Sequence, residues 1–220
     1  MKPVLKAKNL SKTFGSDLTV LHDISLEVLP GETLAIIGKS GEGKTTLLHL
    51  LGTLEKPTAG SIEVCGEVAT AQNSPLLRNT HIGFVFQAYH LLEECTVLEN
   101  VLMPARIGNV DVQPGSAAHA RALQLLEEVG LSHRAKFPAK LLSGGEKQRA
   151  AIARALINNP SIILADEPSG NLDHAHSQAI YKLLFDEAHQ RNKALVVVTH
   201  DLTLASQCQK TYALQDGKLS

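Results

Sequence analysis

The hydrophobic positions fall into distinct patterns along the chain, and each predicts a different element. Residues 4–7, 18–21, 24–28 and 61–64 are short, strand-like and separated by turn residues, which predicts a meandering antiparallel sheet near the N-terminus. Residues 34–37, 82–86, 162–165 and 195–199 are compact apolar runs that end in polar residues. Strands buried on both faces look like this, so these four predict a parallel sheet whose carboxyl ends carry the chemistry. Ala118, Ala122, Leu125, Leu126 and Val129 follow helical spacing, with Ser116 as N-cap and Gly130 as the stop. A similar stripe through Ile180, Leu183 and Leu184 predicts a helix over residues 179–188. Residues 104–115 mix Pro, Gly, Asn and Asp without a period, and predict a loop leading into the middle helix.

Strands alternating with helices, without repeats, low-complexity blocks or a linker, predict one α/β domain spanning residues 1–220. A 220-residue chain with 44% hydrophobic and 20% charged residues can build a full core, which excludes a disordered or fibrous protein. Twenty-one basic side chains stand against 22 acidic ones, so no broad field draws the protein to nucleic acid or anionic lipid. No nucleic-acid partner is expected. The first residues lack the apolar centre of a secretory signal, and no run approaches the roughly 20 apolar residues that span a bilayer. The expectation is a cytosolic polypeptide with no direct membrane insertion, whose membrane role, if it has one, comes through a specific partner. Cys65, Cys95 and Cys208 lack a CxxC spacing and read as reduced thiols. His174 and His176 are two apart, which on a helix turns them to different faces, so the ten histidines predict no metal site.

The strongest chemical signal follows the run at 34–37. Gly38-Lys39-Ser40-Gly41-Glu42-Gly43-Lys44-Thr45 fits GxxxxGK[ST] between a strand and a helix that opens at Thr46. Glycines at 38, 41 and 43 let backbone N–H groups approach phosphate oxygens beside the positive end of the helix. Lys44 adds a point charge for the β- and γ-phosphates, and Thr45 offers a hydroxyl to Mg²⁺. Glu42 is a carboxylate in an anion-binding loop and is expected to point outward.

Residues 161–167 supply the acidic partner: a buried strand ending in Asp166 and Glu167. Asp166 can hold the shell of Mg²⁺ through water, Glu167 can polarise an attacking water as general base, and Pro168 stops the strand. GTP specificity is unsupported, because the nearest string to NKxD, beginning Asn192-Lys193, lacks the Asp.

Leu142-Ser143-Gly144-Gly145-Glu146, followed by Lys147-Gln148-Arg149 and a helical run, can form a second anion cradle at a helix start. The same string also reads as an ordinary capped helix. It resembles the signature motif of ABC ATPases, and that resemblance extends over essentially the whole chain. It implies an ABC-type nucleotide-binding domain of the P-loop NTPase fold, with an antiparallel β subdomain and a helical subdomain at about residues 88–158. It further implies an ATPase using ATP and Mg²⁺ that forms a head-to-tail homodimer on ATP binding. Each nucleotide would then lie between the loop of one subunit, including Lys39, Ser40 and Thr46, and residues 142–146 of the other. By the same resemblance, Gln87 touches Mg²⁺ and relays movement to a membrane partner, Asp173 contacts the opposing subunit, and His200 contacts the γ-phosphate and orients Glu167.

Phe14 matches the aromatic that stacks on adenine, though it also reads as a plain core residue. Leu91, Leu92, Leu98 and Val101 read either as part of a socket for the partner or as core. Residues 168–173 and 87–104 look most like the branch that holds ATPases of lipoprotein release, with macrolide-export and cell-division ATPases as relatives. The implied role is that of a peripheral subunit on the cytoplasmic face of the inner membrane, joined to integral membrane permease subunits. The rival is a regulatory ATPase of cell division that transmits movement without transport, or an exporter subunit. Lys39, Glu42 and Tyr89 depart from the family pattern.

Overall fold

A computed structural model describes residues 1–15, 17–169 and 174–220. Its elements run β1 (Leu5–Phe14), β2 (Leu18–Val28), β3 (Thr33–Ile37), α1 (Lys44–Leu51), β4 (Ala59–Val64), β5 (Glu67–Val68), α2 (Ser74–His81) and β6 (Ile82–Val85). They continue with α3 (Val97–Ile107), α4 (Ala117–Glu128), α5 (Gly144–Leu156), β7 (Ile162–Asp166), α6 (His174–Arg191), β8 (Ala194–Thr199), α7 (Leu202–Ala205), β9 (Lys210–Gln215) and β10 (Lys218–Leu219).

Two sheets result. β2, β1, β4 and β5 lie side by side in that order, with every pairing antiparallel. The larger sheet has the order β10-β9-β3-β8-β7-β6, parallel except for the β9–β10 hairpin. Alternate residues of its central strands face different cores. Ile163, Ala165, Leu195 and Val197 pack with α3, α4, α5 and α6. Ile162, Leu164, Ala194, Val196 and Val198 pack with α1 and the antiparallel sheet. Both faces are covered, which is why these runs are apolar throughout and yet do not become helices.

The two N-terminal segments at 18–21 and 24–28 are one strand. Asp23 interrupts it at φ 52°, where its Oδ1 accepts a hydrogen bond from the Asn9 side chain at 2.6 Å. A β-bulge of this kind bends a strand without ending it. The middle helix begins and ends as its spacing predicts: the Ser116 hydroxyl caps it by accepting from His119 N at 3.2 Å, and Gly130 follows at φ 69°.

Residues 104–107 correct the loop expected at 104–115, because they complete α3. Proline inside a helix removes a hydrogen bond and costs about 3 kcal/mol. Burial of Val97, Val101, Leu102 and Ala105 along one face outweighs that, aided by a Thr96–Glu99 capping box. The Pro104 carbonyl is used as well, accepting from the Asn79 side chain at 2.9 Å. Beyond Gly108 the segment is a loop, as expected. Val101 is fully buried and belongs to the core, with Leu91 and Leu98 packed against it, whereas Leu92 is exposed.

Candidate active site

The carboxyl ends of β3, β7 and β8, together with the segment after β6, converge on a cavity of about 700 Å³. It is lined by Gly38, Lys39, Ser40, Gly41, Gly43, Lys44, Thr45, Thr46, Gln87, Asp166, Glu167 and His200, with Phe14, Leu18 and Val20 along its β-sheet side. Residues up to 186 positions apart in sequence thus meet at one edge of the parallel sheet.

The loop after β3 is shaped by what its glycines permit. A Cβ on Gly38 would stand 2.5 Å from the Leu214 carbonyl oxygen of β9, so no side chain fits there. Gly43 caps α1 at φ 95°, a conformation that disfavours any other residue. The first turn of α1 holds no acidic residue and its cap makes no side-chain hydrogen bond. Its N–H groups and its dipole therefore favour an anion. Lys44 Nζ sits within the loop, donating to the Gly38 carbonyl at 2.8 Å and the Lys39 carbonyl at 2.9 Å. Glu42 turns away as expected: it does not line the cavity, and its Oε2 accepts from Asp216 N at 2.8 Å, fastening the loop to the β9–β10 turn.

Thr45 Oγ1 donates to Asp166 Oδ2 at 2.9 Å, joining the loop to the end of β7. Asp166 is buried, and its Oδ1 has no hydrogen-bond partner among the described residues. Burial raises its carboxyl above the ordinary range, with the Thr45 hydroxyl opposing and the Glu167 charge adding to the rise. A buried acceptor left open beside a threonine hydroxyl and Gln87 suits a hard, oxygen-seeking divalent cation, so these residues fit Mg²⁺. Glu167 adopts φ 43°, which turns its side chain out of the β7 line toward β8. There Oε1 lies 2.8 Å from His200 Nδ1, and Oε2 accepts from Thr199 Oγ1 at 3.2 Å and from His200 N at 3.4 Å. Strained backbone of this kind persists only where surrounding contacts fix it.

Phe14 is 41% exposed and lines the cavity, so it is not a core residue. The Lys12 ammonium sits 4.8 Å from its ring centroid while bonded to Glu55 Oε2 at 2.8 Å. Tyr89 and His90 take positive φ just after Gln87, and Arg154 of α5 donates to both their carbonyls, at 2.7 Å for Tyr89. Leu18 and Val20 were missed as site residues. The sequence carries no signal for them, since both read as ordinary apolar strand residues, and only the structure shows Leu18 exposed at the start of β2.

Residues 142–146 are not brought to this cavity. Ser143 caps α5 by accepting from Glu146 N at 3.4 Å, and Glu146 Oε2 accepts in turn from Ser143 N at 2.8 Å. The string thus caps its own helix, and Ser143 and Gly144 are exposed. Asp173 lies outside the described residues.

A parallel sheet whose strand ends assemble a phosphate loop, an acidic pair and a histidine defines a P-loop ATPase. The ABC transporter family profile matches residues 21–170, and the chain belongs to that family. The chain is an ATP-hydrolysing subunit of the ABC type. The lipoprotein-releasing system ATP-binding protein LolD of Protochlamydia amoebophila is 51% identical, covering 98% of this chain and 96% of that protein. The corresponding protein of Shewanella oneidensis is 47% identical, with 98% and 95% covered. The dimeric structure of MJ0796, a bacterial ABC transporter cassette, matches with a TM-score of 0.90 at 37% identity, covering 98% of this chain and 96% of that one. The same cassette, as a dimer bound to ADP and Pi after hydrolysis, matches at 0.90 with 36% identity over the same shares.

Proposed function

We propose that this ATPase drives the release of lipoproteins from the inner membrane, working as an ATP-closed homodimer beneath integral membrane permease subunits. The observation that carries the dimer is the separation of the two anion cradles: Ser143 is exposed at the start of α5 and stands off the cavity built by its own chain. A cradle that cannot serve its own nucleotide can serve one held by a second copy, and a two-fold pair makes both sites complete. The similar MJ0796 cassette is a dimer, which supports pairing of two copies. The lipoprotein cargo rests on the LolD relatives, which match over nearly their full length. No described helix is long and apolar enough to cross a membrane; the peripheral place on the cytoplasmic face rests on the LolD relatives.

In this reading residues 1–220 form one domain, with a helical subdomain at about 88–158 supported by the mutual packing of α3, α4 and α5. Phe14 stacks on adenine, and the loop from Gly38 to Thr46 wraps the phosphates, with Glu42 serving to anchor it. Lys44 exchanges its loop carbonyls for phosphate oxygens. Thr45, Gln87 and Asp166 would hold Mg²⁺, Asp166 through water, and the ion when bound neutralises charge on the phosphates. Glu167 takes a proton from the attacking water, and His200 holds that carboxylate in place and meets the γ-phosphate. Ser143 of the second copy adds donors where charge develops, an effect worth about 10²–10³-fold for one donor.

The test is reconstitution of the complex purified with its native membrane partner into proteoliposomes bearing a labelled lipoprotein. ATP-dependent transfer of the lipoprotein to a soluble acceptor is the expected result. A partner that belongs to the division apparatus, or transfer of a macrolide instead of the lipoprotein, would refute the cargo.

A further inference from the structure

A buried hydroxyl beside the catalytic pair has no role in the chemistry described so far. Tyr181 of α6 is 1% exposed, yet its hydroxyl lies 2.5 Å from Ser169 Oγ and 2.6 Å from Asp201 Oδ2. Ser169 follows Glu167 by two residues, and Asp201 is the residue after His200. Tyr181 therefore bridges, from beneath, the two loops that carry the catalytic pair.

The donors fall in one direction. The Tyr181 proton goes to Asp201, so the Ser169 hydroxyl must donate to Tyr181. Asp201 N in turn donates to Thr199 Oγ1 at 3.0 Å, and Thr199 gives its single hydroxyl proton to Glu167 Oε2 at 3.2 Å. The backbone from Ser169 through Pro168 to Glu167 closes the ring. Every side chain in it is committed, and the chain of bonds ends on the carboxylate that faces the cavity. Asp201 stays ionised: burial raises its carboxyl, but the donors from Tyr181, Thr203 and Leu204 outweigh that and hold it below the usual range. Burial and the Asp201 carboxylate push the Tyr181 hydroxyl up to about 12, so it remains a donor across the working pH range.

We infer that Tyr181 is a positioning residue for hydrolysis, whose hydroxyl fixes the Glu167 carboxylate and the His200 loop in register. This rests on the reading of Glu167 as the base. A phenylalanine would fill the same space, so only the hydroxyl distinguishes positioning from packing. Steady-state ATP hydrolysis by the full chain with Mg²⁺ provides the test. Tyr181→Phe is expected to lower kcat roughly five- to tenfold while KM and ATP affinity stay within about twofold. Ser169→Ala, which cuts the ring at its less buried end, is expected to act in the same direction and keeps the test open if Tyr181→Phe folds poorly. Tyr181→Phe and Thr199→Val reach the same carboxylate, so their combined effect should fall short of the product of the two. An unchanged kcat in both Tyr181→Phe and Ser169→Ala, a rise in KM without loss of kcat, or fully multiplicative effects would each overturn the inference. Glu167→Gln separates the two readings. If it is inactive while Tyr181→Phe turns over normally, only the positioning role fails; if it still hydrolyses ATP, the base assignment fails and this role with it.

Discussion

His200 Nδ1 lies 2.8 Å from Glu167 Oε1, joining the residue just after β8 to the one just after β7 at the cavity. The contact fixes a carboxylate whose own backbone is in a left-handed conformation. It also explains why the two residues should fail differently. Glu167→Gln removes the base and is expected to cut turnover by about 10²-fold or more while ATP binding persists. His200→Ala leaves the base in place but unheld, and should cut turnover by less. Single-turnover hydrolysis alongside equilibrium binding of a fluorescent ATP analogue checks both.

Lys44→Ala removes the ammonium that the loop holds through the Gly38 and Lys39 carbonyls. A charge-assisted hydrogen bond contributes about 1.5–3 kcal/mol, so ATP affinity should fall about 10- to 100-fold. Titration with the same fluorescent analogue measures this, and unchanged affinity would mean that the ammonium does not engage the phosphates.

Asp166→Asn should separate stability from function. Burial raises the Asp166 carboxyl, so its ionised form costs folding free energy at every pH above the unfolded value near 4. An amide removes that cost, and the thermal midpoint is expected to hold or rise. The Mg²⁺ concentration for half-maximal hydrolysis should rise about tenfold or more, because the open Oδ1 acceptor loses its charge. Chelation of Mg²⁺ should abolish turnover by the unaltered protein.

Glu146 gives the pH prediction. Its carboxyl is held below the ordinary range by the Ser143 backbone N–H first, with burial opposing and Arg134 assisting. A depressed carboxylate stabilises the fold above its unfolded value near 4.3, and that contribution is lost as pH falls through the folded value. Urea unfolding of Glu146→Gln should show lower stability at pH 7 and a shallower decline of stability below about pH 4.5 than the unaltered protein. Equal slopes would mean that the capping pair does not titrate with folding.

The sequence made the phosphate loop, the acidic strand end and the four buried strands legible because each combines a local pattern with a fixed spacing. Residues 162–165 read as a central strand because they are a short run apolar on both faces, and they form β7 together with Asp166. Less visible were features made by distant partners. In β9 only Leu214 is buried, with Tyr212 and Ala213 half-buried and Lys210, Thr211 and Gln215 exposed, so its pattern is weak, and only its parallel pairing with β3 reveals it. Pro104 argued for a loop because a helix interior disfavours it, whereas the apolar face around it decided the matter. The capping of Ser143 by Glu146 was legible, but its distance from the cavity was not, since spacing along a chain says nothing about where a second lobe ends.

The most direct test of a composite site mixes two inactive variants. Lys44→Ala disables the loop, and Ser143→Arg blocks the cradle. If each nucleotide lies between two copies, a mixed pair contains one site with both lesions and one with neither. Mixing equal amounts should then restore up to about a quarter of the unaltered hydrolysis rate, from random pairing of subunits. A mixture no more active than the sum of its separate components would contradict the composite site.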